Sequence, residues 1–227
     1  PRNYNMFIMI DGIDGSGKSV QSELLIDHLK KEGHQVEIIS FPQYGQKSAG
    51  PVEEYLNGLY GTAEEVGPYR ASILYAVDRF VAAFKIRKWL DDGKIVIANR
   101  YVASNMGHQG GKIKDPEARK KFFAWNDDLE YNIFRIPRPD LNIILHVPSD
   151  IAQTLVDKKG HREYLAGAKR DIHEDDLLHL QNAEEAYLEI ARTFPNFELV
   201  ECVEGGNLLP IEAIHKKVWE VVTLWMK

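Results

Sequence analysis

The first chemical signal is one contiguous stretch. Gly12-Ile13-Asp14-Gly15-Ser16-Gly17-Lys18-Ser19 fits the spacing G-x-x-x-x-G-K-S. Glycines let a backbone curl until its N–H groups converge on phosphate oxygens. A helix that starts at the loop adds the positive end of its dipole. Lys18 has the reach for β- and γ-phosphates, and the Ser19 hydroxyl can ligate Mg²⁺. The bland alternative is a glycine-rich turn between strand and helix. The flanking residues favour the phosphate reading: apolar Phe7-Ile8-Met9-Ile10 comes before the loop, and Val20, Leu24, Leu25 and Leu29 recur after it at helical spacing. The loop points to a nucleoside triphosphate and leaves open what is done with it.

A second group of residues supplies an acceptor site. Ser40-Phe41-Pro42-Gln43-Tyr44-Gly45 closes a second strand, and Arg100 follows a third. In α/β folds ligands lie beyond the carboxyl ends of the strands, where Gln43, Tyr44 and Arg100 all fall. Tyr75 and Arg79 are four apart on a helix and share a face. A ring beside a guanidinium suits a nucleobase, one stacking and the other donating hydrogen bonds. The plain alternatives are a core aromatic for Tyr75 and a surface pair with Asp78 or another carboxylate for Arg79. No Asn-Lys-x-Asp guanine reader is present, and motor or transporter ATPases usually need more chain. The pattern is that of a small-molecule kinase.

The elements that must position these residues alternate. Strands are expected at 7–10, 36–40, 94–98, 141–147 and 197–203. Helices are expected from Val20 to a stop at Gly33, over 68–92 with Ile73, Val77, Phe80 and Phe84 on one stripe, from Asp115-Pro116, over 149–159, over 174–193, and over 210–227 with Ile211, Ile214, Val218, Val221 and Trp225 on one stripe. Strands separated by helices imply right-handed crossovers and a parallel sheet, hence a three-layer α/β domain. The 227 residues are 44% hydrophobic and 27% charged, enough to bury a core without staples. The single cysteine, Cys202, excludes an intramolecular disulfide framework and a Cys-based zinc site. A net charge of −6 argues against a broad nucleic-acid surface. No apolar run approaches the roughly 20 residues of a membrane span, and the start of the sequence lacks a signal-peptide layout. The expectation is a reduced cytoplasmic protein with no membrane and no nucleic-acid partner.

Phe41-Pro42-Gln43-Tyr44-Gly45-Gln46, Ala76-Val77-Asp78-Arg79 and Arg100-Tyr101-Val102-Ala103-Ser104-Asn105, together with the phosphate loop, resemble the motifs of bacterial thymidylate kinases. The correspondence runs over nearly the whole chain. It implies a single α/β/α P-loop kinase domain, 1–227, with a five-stranded parallel sheet and a helical lid at about 158–174. The implied activity is transfer of the γ-phosphoryl of ATP to dTMP, giving dTDP and ADP, with Mg²⁺ accompanying ATP and a homodimer built from helix faces.

Carried over by residue, the resemblance makes Gly12 through Ser19 the ATP loop. It puts Ser19 on the metal and Asp14 near acceptor sugar and metal. Tyr44 and Arg100 bind the dTMP phosphate, Tyr75 stacks on thymine, Arg79 donates to O4 and Asn105 reads the base edge. Phe41, Ser104 and His108 belong to the acceptor side, and Glu174 is the carboxylate at the lid's end. The dTMP phosphate is already anionic, so positioning and charge neutralisation suffice without a general base. Lys158, Lys159, Arg162, Lys169 and Arg170 read either as a solvated basic loop or as a closing lid. No arginine occupies positions 13–16, which favours a catalytic cation from the lid, with Arg162 and Arg170 as candidates beside Lys18, Asp14 and Arg100. Three positions depart from the family pattern: Asn99 stands for an aspartate, Leu155 for an arginine and His108 for a tyrosine.

Two other readings compete. A deoxynucleoside kinase must deprotonate a neutral hydroxyl and wants a carboxylate just past the second strand, where Phe41-Pro42-Gln43 offers none. A non-catalytic nucleotide-binding module would explain Asn99 and Leu155 as decay, but not the retention of Lys18, Ser19, Arg79 and Arg100.

Overall fold

The structure, a computed structural model, describes residues 5–158 and 177–227. Its framework is a five-stranded parallel sheet in the order β2-β3-β1-β4-β5. Strand β1 (Met6–Asp11) is central and buried at all six positions, which explains an apolar run without alternation. β3 (Ile95–Asn99) pairs on one side of it, Ile8 opposite Ile97. β4 (Leu141–His146) pairs on the other, Ile10 opposite Ile143. β2 (Val36–Ser40) and β5 (Phe197–Glu201) form the edges. Each expected strand is present.

Helix α1 (Lys18–Lys31) leaves the phosphate loop and buries Leu25, Ile26 and Leu29. The expected Val20 lies exposed. Gly33, at φ +87°, ends the helix as its type suggests. After β2 come two short helices the periodicity did not reveal, α2 (Gly50–Leu56) and α3 (Ala63–Val66). A capping box between Thr62 and Glu65 starts α3. Val52, Tyr55, Leu56, Val66 and Ala71 make a second small core, with Leu74 and Tyr75 against it.

The long helix α4 (Pro68–Asp91) carries the expected stripe on its outer side. Its stripe of Ile73, Val77, Phe80 and Phe84 faces outward, with Phe84 62% exposed. The buried face is mostly small: Ala71, Ser72, Ala76, Ala82 and Ala83, with Asp78, Arg79 and Ile86. Alanines let α4 approach the sheet closely, so two faces of the helix are apolar.

Beyond β3, α5 (Val102–Ser104) continues as a wider-pitched turn through Gln109. Helix α6 (Pro116–Asp127) is capped by Asp115, which accepts from Glu117 N, and runs on through Ile133. α7 (Ser149–Lys158) follows β4, and α8 (Leu177–Thr193) leads into β5. A small hairpin, β6 (Val203–Glu204) with β7 (Asn207–Leu208), occupies residues expected to prolong β5 or form a loop. The last helix, α9 (Ile211–Trp225), buries Ile214, Val218 and Val222, while Ile211 and Trp225 at its ends stay exposed. α9 packs beside α1 on one face of the sheet; α4, α5 with its continuation, and α8 pack on the other.

Candidate active site

The loop is held by backbone geometry. Gly15 sits at φ +85°, and a Cβ there would lie 2.4 Å from the Ala152 carbonyl of α7. Only glycine therefore admits this contact between loop and helix backbone. Gly17 caps α1 in the left-handed region, and Lys18 is the first helical residue. Lys18 Nζ donates to the carbonyls of Gly12 and Ile13 at 3.1 and 2.8 Å. The ammonium thus lies folded over the loop.

Asp11, at the end of β1, is fully buried and its carboxylate organises the floor. It accepts from Gly12 N at 2.9 Å, Tyr187 Oη at 2.9 Å and Ser104 Oγ at 2.7 Å. Sequence reasoning missed Asp11 and Tyr187; the available signal was a charged residue ending an otherwise apolar central strand.

Arg100 stands at φ +69° and donates its N–H to Ile10 O at 2.9 Å. This backbone, unusual for an arginine, turns its side chain across the end of β1. There Nη2 donates to Asp14 Oδ1 of the loop, and Nη1 lies 3.0 Å from His108 Nε2. A guanidinium only donates, so Nε2 accepts and the imidazole proton sits on Nδ1, directed at His179 Nε2 at 3.3 Å. Burial would lower the Arg100 pKa, but Asp14 and Asp11 outweigh it and hold it above the ordinary value. Burial holds His108 well below its ordinary pKa, against the pull of Asp14 and with help from Arg100. The imidazole is neutral at pH 7.

One cavity opens beside this pair. Asp14, Phe41, Tyr44, Tyr75, Arg79, Arg100, Ser104, Asn105 and His108 all line it. Pro42, Leu56 and Gln109 complete the wall. Of the described residues expected on the acceptor side, all but Gln43, which is bonded to Asp78, are therefore in one place, brought by the phosphate loop, the β2 exit, α4, the β3 exit and α5 with its continuation. Tyr75 meets Tyr55 edge-on at 6.2 Å between ring centroids.

Arg79 does not form the surface pair that was its plain alternative. Its partner is not Asp78 at the surface but Glu130, with both side chains almost completely buried. Nε and Nη2 each donate to Glu130 at 2.6 Å. Burial would depress the Arg79 pKa, and Glu130 more than offsets it. Asp78 instead accepts from Gln43 N, Gln43 Nε2 and Ser48 Oγ at 2.7, 3.0 and 2.6 Å, and so shapes the β2 exit. No local motif pointed to Glu130, fifty-one residues from Arg79.

The residues around Ser19 suit a hydrated cation. Asn99 Nδ2 donates to Ser19 Oγ at 3.1 Å, while Asn99 Oδ1 is buried without a hydrogen-bond partner. An orphaned oxygen beside a hydroxyl fits the needs of metal-bound water. Of the two expected ligands, Ser19 lies beside that oxygen, and Asp14 Oδ1 is engaged by Arg100. Leu155 is partly buried on α7. Lys159, Arg162, Lys169, Arg170 and Glu174 lie outside the described residues, as does the Lys158 side chain. No helix among the described residues is long and apolar enough to cross a membrane.

The family model for thymidylate kinase matches residues 10–217. This chain belongs to the thymidylate kinase family. It is 31% identical to the thymidylate kinase of Mycobacterium tuberculosis (strain CDC 1551 / Oshkosh) over 187 residues, 82% of this chain and 86% of that one. It is 31% identical to the probable thymidylate kinase of Thermococcus onnurineus over 227 aligned positions, 96% of this chain and 97% of that one. The solved thymidylate kinase of Candida albicans superposes with a TM-score of 0.70 over 96% of this chain and 91% of its own, at 22% identity, which shows a common fold. The β2-β3-β1-β4-β5 sheet and the loop at the end of β1 are the thymidylate kinase fold in this chain.

Proposed function

We propose that this chain transfers the γ-phosphoryl of ATP to the phosphate of dTMP, yielding ADP and dTDP. The observation that carries this reading is the Asp14–Arg100 pair. It joins a residue of the phosphate loop to a residue of the acceptor cavity, so donor and acceptor sites share a wall. A dTMP seated with its base toward Tyr75, Arg79 and Asn105 has its phosphate toward Tyr44 and Arg100, facing Lys18. The loop amides and Lys18 hold the transferring group, Arg100 neutralises the attacking phosphate, and Asp14 keeps Arg100 aimed.

Mg²⁺ fits at Ser19 and Asn99, where it supplies charge neutralisation for the ATP phosphates. In this reading the chain is one kinase domain, and the basic segment 158–174 is its lid, with Arg162, Lys169 and Arg170 the cations that act on the developing charge and Glu174 near the acceptor. The exposed Ile73, Val77, Phe80 and Phe84 of α4 support a homodimer through that face. Cytoplasmic placement and the lack of a nucleic-acid partner complete the proposal, supported by a single buried cysteine and a net charge of −6.

A coupled ADP-release assay with a nucleotide panel tests the activity. dTMP is the best acceptor. Loss of the thymine methyl in dUMP costs about 1–3 kcal/mol, a factor of roughly 10–200. dCMP offers a donor where Arg79 needs an acceptor and is rejected more strongly. Turnover of thymidine in preference to dTMP overturns the proposal. A triple alanine variant at Arg162, Lys169 and Arg170 tests the lid: kcat falls more than KM for dTMP rises.

A further inference from the structure

We infer that Glu130, which does not line the acceptor cavity, is the positioning residue that sets which pyrimidine the cavity accepts. The inference rests on the thymidylate reading above and deepens it. Glu130 is 0% exposed and lies on the wide turn that follows α6. Its two oxygens receive three donors: Arg79 Nε on Oε2, and Arg79 Nη2 with Asn105 Nδ2 on Oε1, at 2.6, 2.6 and 3.1 Å. Arg79 and Asn105 both line the cavity. One buried carboxylate therefore grips both polar side chains that meet the base.

The grip fixes polarity as well as position. Asn105 Nδ2 also faces Ser72 O at 3.0 Å and Asn126 Oδ1 at 3.3 Å. A carboxylate and a backbone carbonyl only accept, so together they hold the amide one way round. With its nitrogen committed inward, Asn105 offers its oxygen, an acceptor, to the cavity. Arg79 offers only N–H donors. Donor and acceptor side by side match thymine and uracil, which present the O4 acceptor next to the N3–H donor. Cytosine presents the reverse, an amine at position 4 and a bare N3. The reader of the base is thus a pair of side chains whose polarity Glu130 imposes.

Glu130→Gln removes one acceptor and supplies an amide donor among three donors. With the carboxylate gone and Ser72 O the acceptor-only partner left, Asn105 is held less firmly one way round and samples the turned-over state, which shows its N–H₂ to the cavity and suits the bare N3 of cytosine. The expected result is a fall in kcat/KM for dTMP together with a gain on dCMP, so that the dTMP-to-dCMP ratio drops at least about tenfold. KM for ATP stays unchanged, because the phosphate loop has no contact with Glu130. Glu130→Asp keeps the buried charge pair, and with it the fold, but its shorter reach cannot serve Arg79 and Asn105 together. Its ratio falls to an intermediate value.

A purely structural carboxylate gives a different pattern: Glu130→Gln lowers Tm and depresses dTMP and dCMP turnover in proportion, and Glu130→Asp keeps the wild-type ratio. Either result overturns the inference. The wild-type panel separates the two levels of argument. If the wild type shows no preference for dTMP over dCMP, the thymidylate reading falls and this inference with it. If the wild type prefers dTMP and both variants keep that preference, only the role of Glu130 falls.

Discussion

The phosphate loop and the acceptor cavity share the Asp14–Arg100 wall, yet they are built on opposite principles. The loop is one run of eight residues, and its work is done by backbone N–H groups, a helix terminus and one lysine. The cavity is an assembly of side chains from separate elements, and several of its polar members are held by partners distant in sequence: Arg79 by Glu130, Asn105 by Glu130 and Asn126, Ser104 by Asp11, Arg100 by Asp14. A site made of backbone depends on conformation and is broken by adding atoms. A site made of side chains depends on polar pairing and is broken by changing charge.

Four measurements press on this contrast. The largest effect is expected from Lys18→Ala, the loop side chain to which the proposed function gives the transferring phosphoryl. Its loss removes charge stabilisation of the transferring phosphoryl and lowers kcat by about 10³-fold, or roughly 4 kcal/mol. It alters little packing, so Tm in a thermal melt stays within a few degrees of wild type. Near wild-type turnover would remove Lys18 from the chemistry.

Gly15→Ala attacks the loop as conformation. The added methyl meets Ala152 O at 2.4 Å in a left-handed backbone, and a loss of about 2–3 kcal/mol is expected in denaturant unfolding, with a raised KM for ATP. Gly33→Ala is the control. It has a similar φ of +87° but open space around it, so only the conformational cost of about 1 kcal/mol remains. Equal losses at the two positions would show that the contact with α7 does not matter.

Asn99→Asp replaces an orphaned amide oxygen with a carboxylate beside Ser19. The Mg²⁺ concentration for half-maximal activity is expected to fall by up to about tenfold, and the gain disappears at saturating Mg²⁺. A Mg²⁺ titration of both proteins at saturating dTMP reads this out. An unchanged midpoint places Asn99 away from the metal.

The smallest effect separates the cavity from the loop by pH. His108 in the folded protein has a pKa well below its ordinary 6.5. Below pH 6.5 the unfolded chain takes up a proton that folded His108 does not, so this group lowers stability as pH falls. Relative to wild type, His108→Gln should gain about 1 kcal/mol at most between pH 7.5 and 5.5, followed as a Tm difference. A Tm difference that does not change with pH would mean His108 titrates normally.

The same contrast explains what could be read from the sequence. The loop was legible because its function needs residue types at fixed local spacing. The strands were legible because burial on both faces writes a continuous apolar run, as in β1 and β3. The cavity's lining was legible through short motifs, Phe41 to Gln46, Ala76 to Arg79 and Arg100 to Asn105, once their resemblance was recognised. The partners were not. Nothing local links Glu130 to Arg79, and the pairing arises only when the turn after α6 packs against α4. The inward face of α4 was not legible because alanines at 71, 76, 82 and 83 carry too little hydrophobic signal beside Phe80 and Phe84. Helices α2 and α3 are too short to show a period.

The central place of β1 also governs how the molecule comes into being during synthesis. Its left neighbour begins at Ile95 and its right neighbour at Leu141. At roughly 5–20 residues per second, the segment that will carry the phosphate loop waits on the order of ten seconds for the second of its flanking strands. Throughout that interval one edge of Phe7-Ile8-Met9-Ile10 has no strand beside it. The nascent chain therefore carries an unpaired apolar strand edge until Leu141–His146 emerges, and a chaperone that covers such an edge acts on the same strand that later anchors the loop.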